Sequence, residues 1–129
     1  LMMISIMIVM VSMMSMMIVM ISMMITMIMI CVIATIKAKA GGREALLEHI
    51  ADNLPNVHAE EGCIEYQPMI DTESSLGAQV LDENIVTMVE KWETMANLNA
   101  HATAPHMLKY REKVKDTVES VSLKVLTVA

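Results

Sequence analysis

After residue 31 the apolar positions change period several times. VIATIKAK at 32–39 puts Val32, Ala34 and Ile36 on one face and Thr35, Lys37 and Lys39 on the other, which predicts a strand ended by Gly41 and Gly42. Leu46, Leu47, Ile50, Ala51 and Leu54 then recur at helical spacing, and Pro55 is expected to stop that helix. CIEYQPMI at 63–70 sets Ile64, Tyr66 and Ile70 against Glu65 and Gln67, a second strand that Pro68 assigns to a sheet edge or a bulge. NIVTMVEKWE at 84–93 is a third, with Val86, Met88, Glu90 and Trp92 on a single face. The polar connection between them, 71–84, is long for a hairpin and reads as a lid. Thr94 is placed to cap a short helix carrying Met95, Leu98 and Ala102, and Pro105 to open another carrying Met107, Leu108, Val114 and Val118. SLKVLTVA at 122–129 is the last strand.

The order is β-α-β-β-α-β, an α+β, ferredoxin-like arrangement of one antiparallel sheet with its helices on one face. The other face needs a cover. A second copy of the sheet would supply it, which predicts a homodimer with a pocket in each subunit.

Residues 1–31 show none of this alternation. They use only Leu, Met, Ile, Val, Ser, Thr and one Cys, and MIVMVSMM at 7–14 returns as MIVMISMM at 17–24. Thirteen of the 17 Met precede residue 30, and the first charged residue is Lys37. The run is long enough to cross a ~30 Å hydrocarbon core, but no basic residue precedes it and no Trp or Tyr marks an interface. Met has the single codon ATG, and Ile, Val, Leu and Thr have codons one base away, so a translated ATG-type repeat would have this alphabet. Leu1 at the first position agrees with a fragment or a displaced start. The expected division is therefore a low-complexity extension over 1–31, with a membrane segment as the alternative, and a domain over 32–129.

Composition narrows the function. With 9 Lys+Arg against 15 Asp+Glu the net charge is -6, which argues against a nucleic-acid partner. Cys31 and Cys63 form neither a ligand set nor a disulfide framework, which fits a reducing, cytoplasmic compartment, or a membrane-anchored protein if 1–31 is an anchor. There is no G-x-G-x-x-G and no G-x-x-x-x-G-K-[ST], so no nucleotide cofactor is expected. With no Phe, an apolar pocket must be walled by Met, Ile, Val and Leu.

Several polar residues are able to carry chemistry. Glu90 shares a strand face with apolar residues, so it either faces a pocket or is paired with a cation or a hydrogen-bond donor. His101 and His106 lie five apart across Ala104-Pro105 and need not share a face; without a third ligand they make a poor zinc site, and no metal is expected. One histidine suffices as a base, because an unperturbed imidazole titrates near pH 6.5. Tyr66 is able to hydrogen-bond a substrate oxygen. His49 and His58 are expected to face solvent.

E-x-G-C-x-x-Y at 60–66, E-x-W-E at 90–93 and H-x4-H at 101–106, in this order, resemble the antibiotic biosynthesis monooxygenase domain family, which includes quinol monooxygenases. The resemblance covers about 32–129. It implies a dimeric ferredoxin-like α+β barrel and, as in several members, oxidation of an electron-rich aromatic by O2 without flavin, haem or metal. On that footing the chain is expected to be a cofactor-independent monooxygenase of a quinol, phenol or anthrone. His101, His106 and Glu90 are its catalytic candidates, and Trp92, Tyr66 and Met88 its substrate contacts, with Trp92 a flat pocket wall. Haem-degrading relatives carry an Asn in the first strand that VIATIKAK lacks, and the 71–84 connection is longer than the family's usual turn. An isomerase or tautomerase of a small hydroxy-carbonyl compound, and a non-catalytic dimeric ligand-binding module, are the competing functions.

Overall fold

In the computed structural model, which describes residues 2–129 and only the backbone of 23–28, strand β1 (Ile30–Ala38) lies between two antiparallel partners. On one side it pairs with β3 (Ile85–Trp92), and on the other with β4 (Val118–Leu126). β2 (Cys63–Met69) pairs with β3 and closes the order β2-β3-β1-β4. The sheet order and the β-α-β-β-α-β sequence match the expected ferredoxin-like α+β arrangement, preceded by an apolar helix, α1 (Met2–Ile28).

Strand register gathers the apolar residues on one face. Val32 lies opposite Glu90, Ala34 opposite Met88 and Ile36 opposite Val86, while β4 brings Val125, Leu123 and Val121 beside the same three β1 residues. Helix α2 (Arg43–His58) packs on β2 and β3 and buries Leu46, Ile50 and Val57. The heart of the core is Trp92, Leu46, Met88, Val57 and Val86.

Helix α3 (Met95–Ala102) is capped by Thr94, whose hydroxyl accepts the Asn97 N–H at 3.1 Å. Helix α4 (Pro105–Val114) has Pro105 in its first turn, where the missing N–H has no intrahelical partner to lose. The starts of these two helices thus follow their sequence signals.

Four boundaries and faces differ from expectation. α2 runs through Pro55 to His58, because the exposed Ala51 carbonyl is left to water while buried Val57 holds the last turn down. Val118 belongs to β4, which begins four residues before the expected strand; a bulge at Lys37/Ala38 brings Ala38 opposite Val118. A register shift between Cys63 and Glu65 places Tyr66 opposite Glu90, on the helix-covered face, and leaves Ile64 exposed rather than in the core. The 71–84 segment is no lid: it is a solvent-exposed loop closed at its base by the Asp82 N–H donating to the Asp71 carboxylate at 2.9 Å, and it does not border the cavity described below.

Ile33, Thr35, Ile85, Thr87 and Val89 are half-buried on the opposite sheet face, and Met69 and Leu126 are exposed there. No second layer covers that face among the described residues. In α1, Met2–Ser22 is long and apolar enough to cross a membrane, and the helix carries no charged residue.

Candidate active site

Between the sheet and helices α3 and α4 lies an apolar cavity of about 580 Å³. Ala34 and Met88 form its floor, Met107 and Val114 its helical side, and Val121 and Leu123 its outer wall. Four polar residues of the sheet and α3 border it: Tyr66, Glu90, Asn99 and His101. Tyr110 and Arg111, adjacent on α4, and Lys115 at its C-cap add a phenol and two cations.

Local geometry follows from the elements. The bulge in β2 turns Tyr66 toward Glu90, and strand alternation puts Glu90 and Trp92 on one face. The Trp92 indole N–H donates to Glu90 Oε2 at 3.0 Å. His101, near the end of α3, is 5% exposed and lies against two aromatic rings: its centroid is 4.6 Å from that of Trp92, and 5.3 Å from that of Tyr66, which meets it edge-on. Nδ1 of His101 and Glu60 Oε2 are hydrogen-bonded at 2.6 Å.

Burial sets the charges. Desolvation pushes the Glu90 carboxyl above its usual range; the Trp92 hydrogen bond and His101 oppose that shift, and Glu60 adds to it. Desolvation, with Glu90 second, also holds the Tyr66 phenol far above its ordinary value, and Tyr110 is pushed up to about 12 by burial, opposed by Arg111. Both tyrosines are therefore hydrogen-bond donors across the neutral range. The Cys63 thiol is raised by burial and by Glu60 and Glu90, so it is not a thiolate nucleophile.

Of the residues singled out in the sequence, Glu90, Tyr66, Met88 and His101 converge on the cavity. Trp92 does not form its wall as expected. It is fully buried behind Glu90 and His101, because the last strand position lies under α3. His106 does not reach the cavity either: the non-helical Ala104 turns the chain, and His106 borders a separate polar cleft between α2 and α4, together with His49 and Asn53. Neither His106 ring nitrogen has a hydrogen-bond partner, and Nε2 is 3.6 Å from Glu60 Oε2, an ion-pair distance too long for a hydrogen bond. His58 is not wholly free in solvent, since its Nε2 lies 3.0 Å from the Tyr66 carbonyl. Glu60 opens the E-x-G-C-x-x-Y signature, but nothing in that pattern assigns it a role. Its partner His101 is 41 residues away, beyond the reach of any local pattern.

The model of the family described as antibiotic biosynthesis monooxygenase matches residues 29–113. The "Probable quinol monooxygenase YgiN" of Escherichia coli strain K12 is 38% identical over 100 residues, covering 76% of this chain and 96% of that protein. Among solved structures, PA3566 from Pseudomonas aeruginosa superposes with a TM-score of 0.68 at 25% identity, covering 81% of this chain and 97% of that one. SO0527 from Shewanella oneidensis does so with a TM-score of 0.66 at 26% identity, covering 78% and 90%. The chain belongs to the antibiotic biosynthesis monooxygenase family. It is a monooxygenase-type enzyme acting on a small molecule, built on a ferredoxin-like fold with an N-terminal apolar helix.

Proposed function

We propose that the chain oxidises a small electron-rich aromatic, of quinol, phenol or anthrone type, with O2 and without a cofactor. The observation that carries this reading is the placement of His101, the one imidazole in its lining, against a mainly apolar cavity large enough for a one- to three-ring aromatic. The printed name of the Escherichia coli relative supports the quinol class. His101 takes the proton from a substrate hydroxyl or activated C–H, and the resulting phenolate or carbanion is electron-rich enough to pass an electron to O2. For a quinol the overall balance is quinol plus O2 to hydroxyquinone plus water, one oxygen atom ending in each product. Met88 and the other apolar walls keep water from the anion, and the Tyr66 hydroxyl is placed to donate to a substrate oxygen.

The working unit is a homodimer joined through the uncovered sheet face, where Ile33, Ile85 and Val89 are half-buried without a covering layer among the described residues. The catalytic domain works in the cytoplasm, its two cysteines free thiols.

The test is O2 uptake by the metal-stripped protein with simple hydroquinones and 1,4-dihydroxynaphthalene, with ¹⁸O2 to follow the label. Substrate-dependent uptake, one labelled oxygen in the product and a loss of about 10²–10⁴-fold in kcat for His101→Ala support the reading. Turnover of a hydroxy-carbonyl compound without O2 uptake would replace it by an isomerase.

A further inference from the structure

The Glu60 side chain does not line the apolar cavity, yet its carboxylate is the hydrogen-bond partner of His101. Its backbone is fixed at both ends of the turn between α2 and β2. The Glu60 N–H donates to the Val57 carbonyl at 3.0 Å, and the Glu60 carbonyl accepts the Cys63 N–H at 3.2 Å. The carboxylate is mostly shielded, at 15% side-chain exposure against 6% for His101. A carboxylate only accepts, so in the neutral imidazole the 2.6 Å contact puts the proton on Nδ1 of His101 and leaves the lone pair on Nε2. Nε2 has no hydrogen-bond partner among the described residues.

Resting on the assignment of His101 as the base, we propose that Glu60 is the positioning residue of this site: it holds His101 in the Nδ1–H tautomer with Nε2 free to accept the substrate's proton. The substrate O–H bond breaks, the proton moves to Nε2, and the imidazolium so formed lies between the new anion and the Glu60 carboxylate, which keeps its charge. The other groups facing His101 are Tyr66 and Glu90 of the sheet and Trp92 behind it. His106 of α4 shares the same Glu60 oxygen at 3.6 Å. Of these, only Glu60 makes a hydrogen bond to the His101 ring.

The experiment is long-range ¹H–¹⁵N correlation of the imidazoles in the ¹⁵N-labelled full chain in detergent at pH 8, with His101 assigned by its absence in His101→Gln. Wild type and Glu60→Gln, whose amide oxygen still accepts, should show Nδ1–H. Glu60→Ala should show loss of that tautomer. In the oxygen-electrode assay, Glu60→Ala should lower kcat roughly 10–100-fold with KM changed less than about twofold, as expected of a group that orients another. An Nε2–H tautomer in wild type, or an unchanged Nδ1–H tautomer in Glu60→Ala, overturns the proposal. The tautomer is read without substrate, so an inactive protein with the expected spectra refutes the base role of His101 and leaves the positioning by Glu60 standing.

Discussion

Trp92 and Glu90 stand two residues apart on one strand, and the indole N–H of the first is the hydrogen-bond donor to the buried carboxylate of the second, at 3.0 Å. Burial still outweighs that bond and keeps the Glu90 carboxyl above its usual range. An acid whose folded value is raised contributes stability that is present below its unfolded value and is lost as pH rises through the folded one. Urea unfolding of wild type should therefore weaken from about pH 4 upward through the raised Glu90 value, relative to Glu90→Gln, which lacks that titration. Parallel pH curves for the two proteins would show that Glu90 carries no such penalty.

Trp92 is fully buried under α3, against His101. Trp92→Ala should cost about 3–5 kcal/mol in urea unfolding, from the void it leaves. Trp92→Phe keeps ring packing but strips Glu90 of its donor, so a smaller loss of roughly 1–3 kcal/mol is expected. Equal losses in both variants would mean that the indole N–H is the dominant contribution.

Gly62 sits at φ +77, and a Cβ there would meet the Asn97 side chain at 2.2 Å. Gly62→Ala should destabilise by at least roughly 1–3 kcal/mol from the backbone conformation alone. In an Asn97→Ala background the loss should shrink but not vanish, since a 2.7 Å contact with the Asn97 Cβ would remain. A double-mutant cycle measures the coupling, and additive losses would exclude the clash.

All strands of the sheet lie after Met29. A chain of residues 29–129 should therefore give a cooperative thermal transition and the circular dichroism of a folded α+β protein. Failure of that chain to fold where the full chain does would make α1 part of the folding unit.

Ile33 and Val89 face each other in register on the uncovered sheet face. The 29–129 chain should sediment at twice its monomer mass at micromolar concentration, and Ile33→Lys with Val89→Lys should return it to monomer. A monomeric wild-type domain would rule out this face as the interface.

Much of this fold is readable along the chain because its signals are local. Val86, Met88, Glu90 and Trp92 alternate cleanly onto the buried face, Thr94 caps α3, and Pro105 opens α4. For Glu90 its strand face leaves a pocket, a cation or a hydrogen-bond donor open, and the structure gives it both the cavity and the Trp92 N–H. What stayed hidden depends on contacts distant in sequence. The bulge at Cys63/Glu65 shifts one residue against β3, and only pairing reveals it. Val118 keeps helical spacing from Val114 yet pairs with Ala38. Trp92 sits behind the cavity rather than in its wall because α3 folds over the strand end, which no periodicity encodes.

The break at Thr103–Ala104 divides labour between two short helices. α3 carries His101 and its contacts to Glu60, Trp92 and Tyr66, while α4 supplies Met107, Tyr110 and Val114 to the cavity. Substitutions at Met107, Tyr110 or Val114 can then reshape the cavity while the contacts of His101 stay in place. The room for a ligand and the imidazole that faces it are thus set by separate helices, so each can be altered with the other left in place.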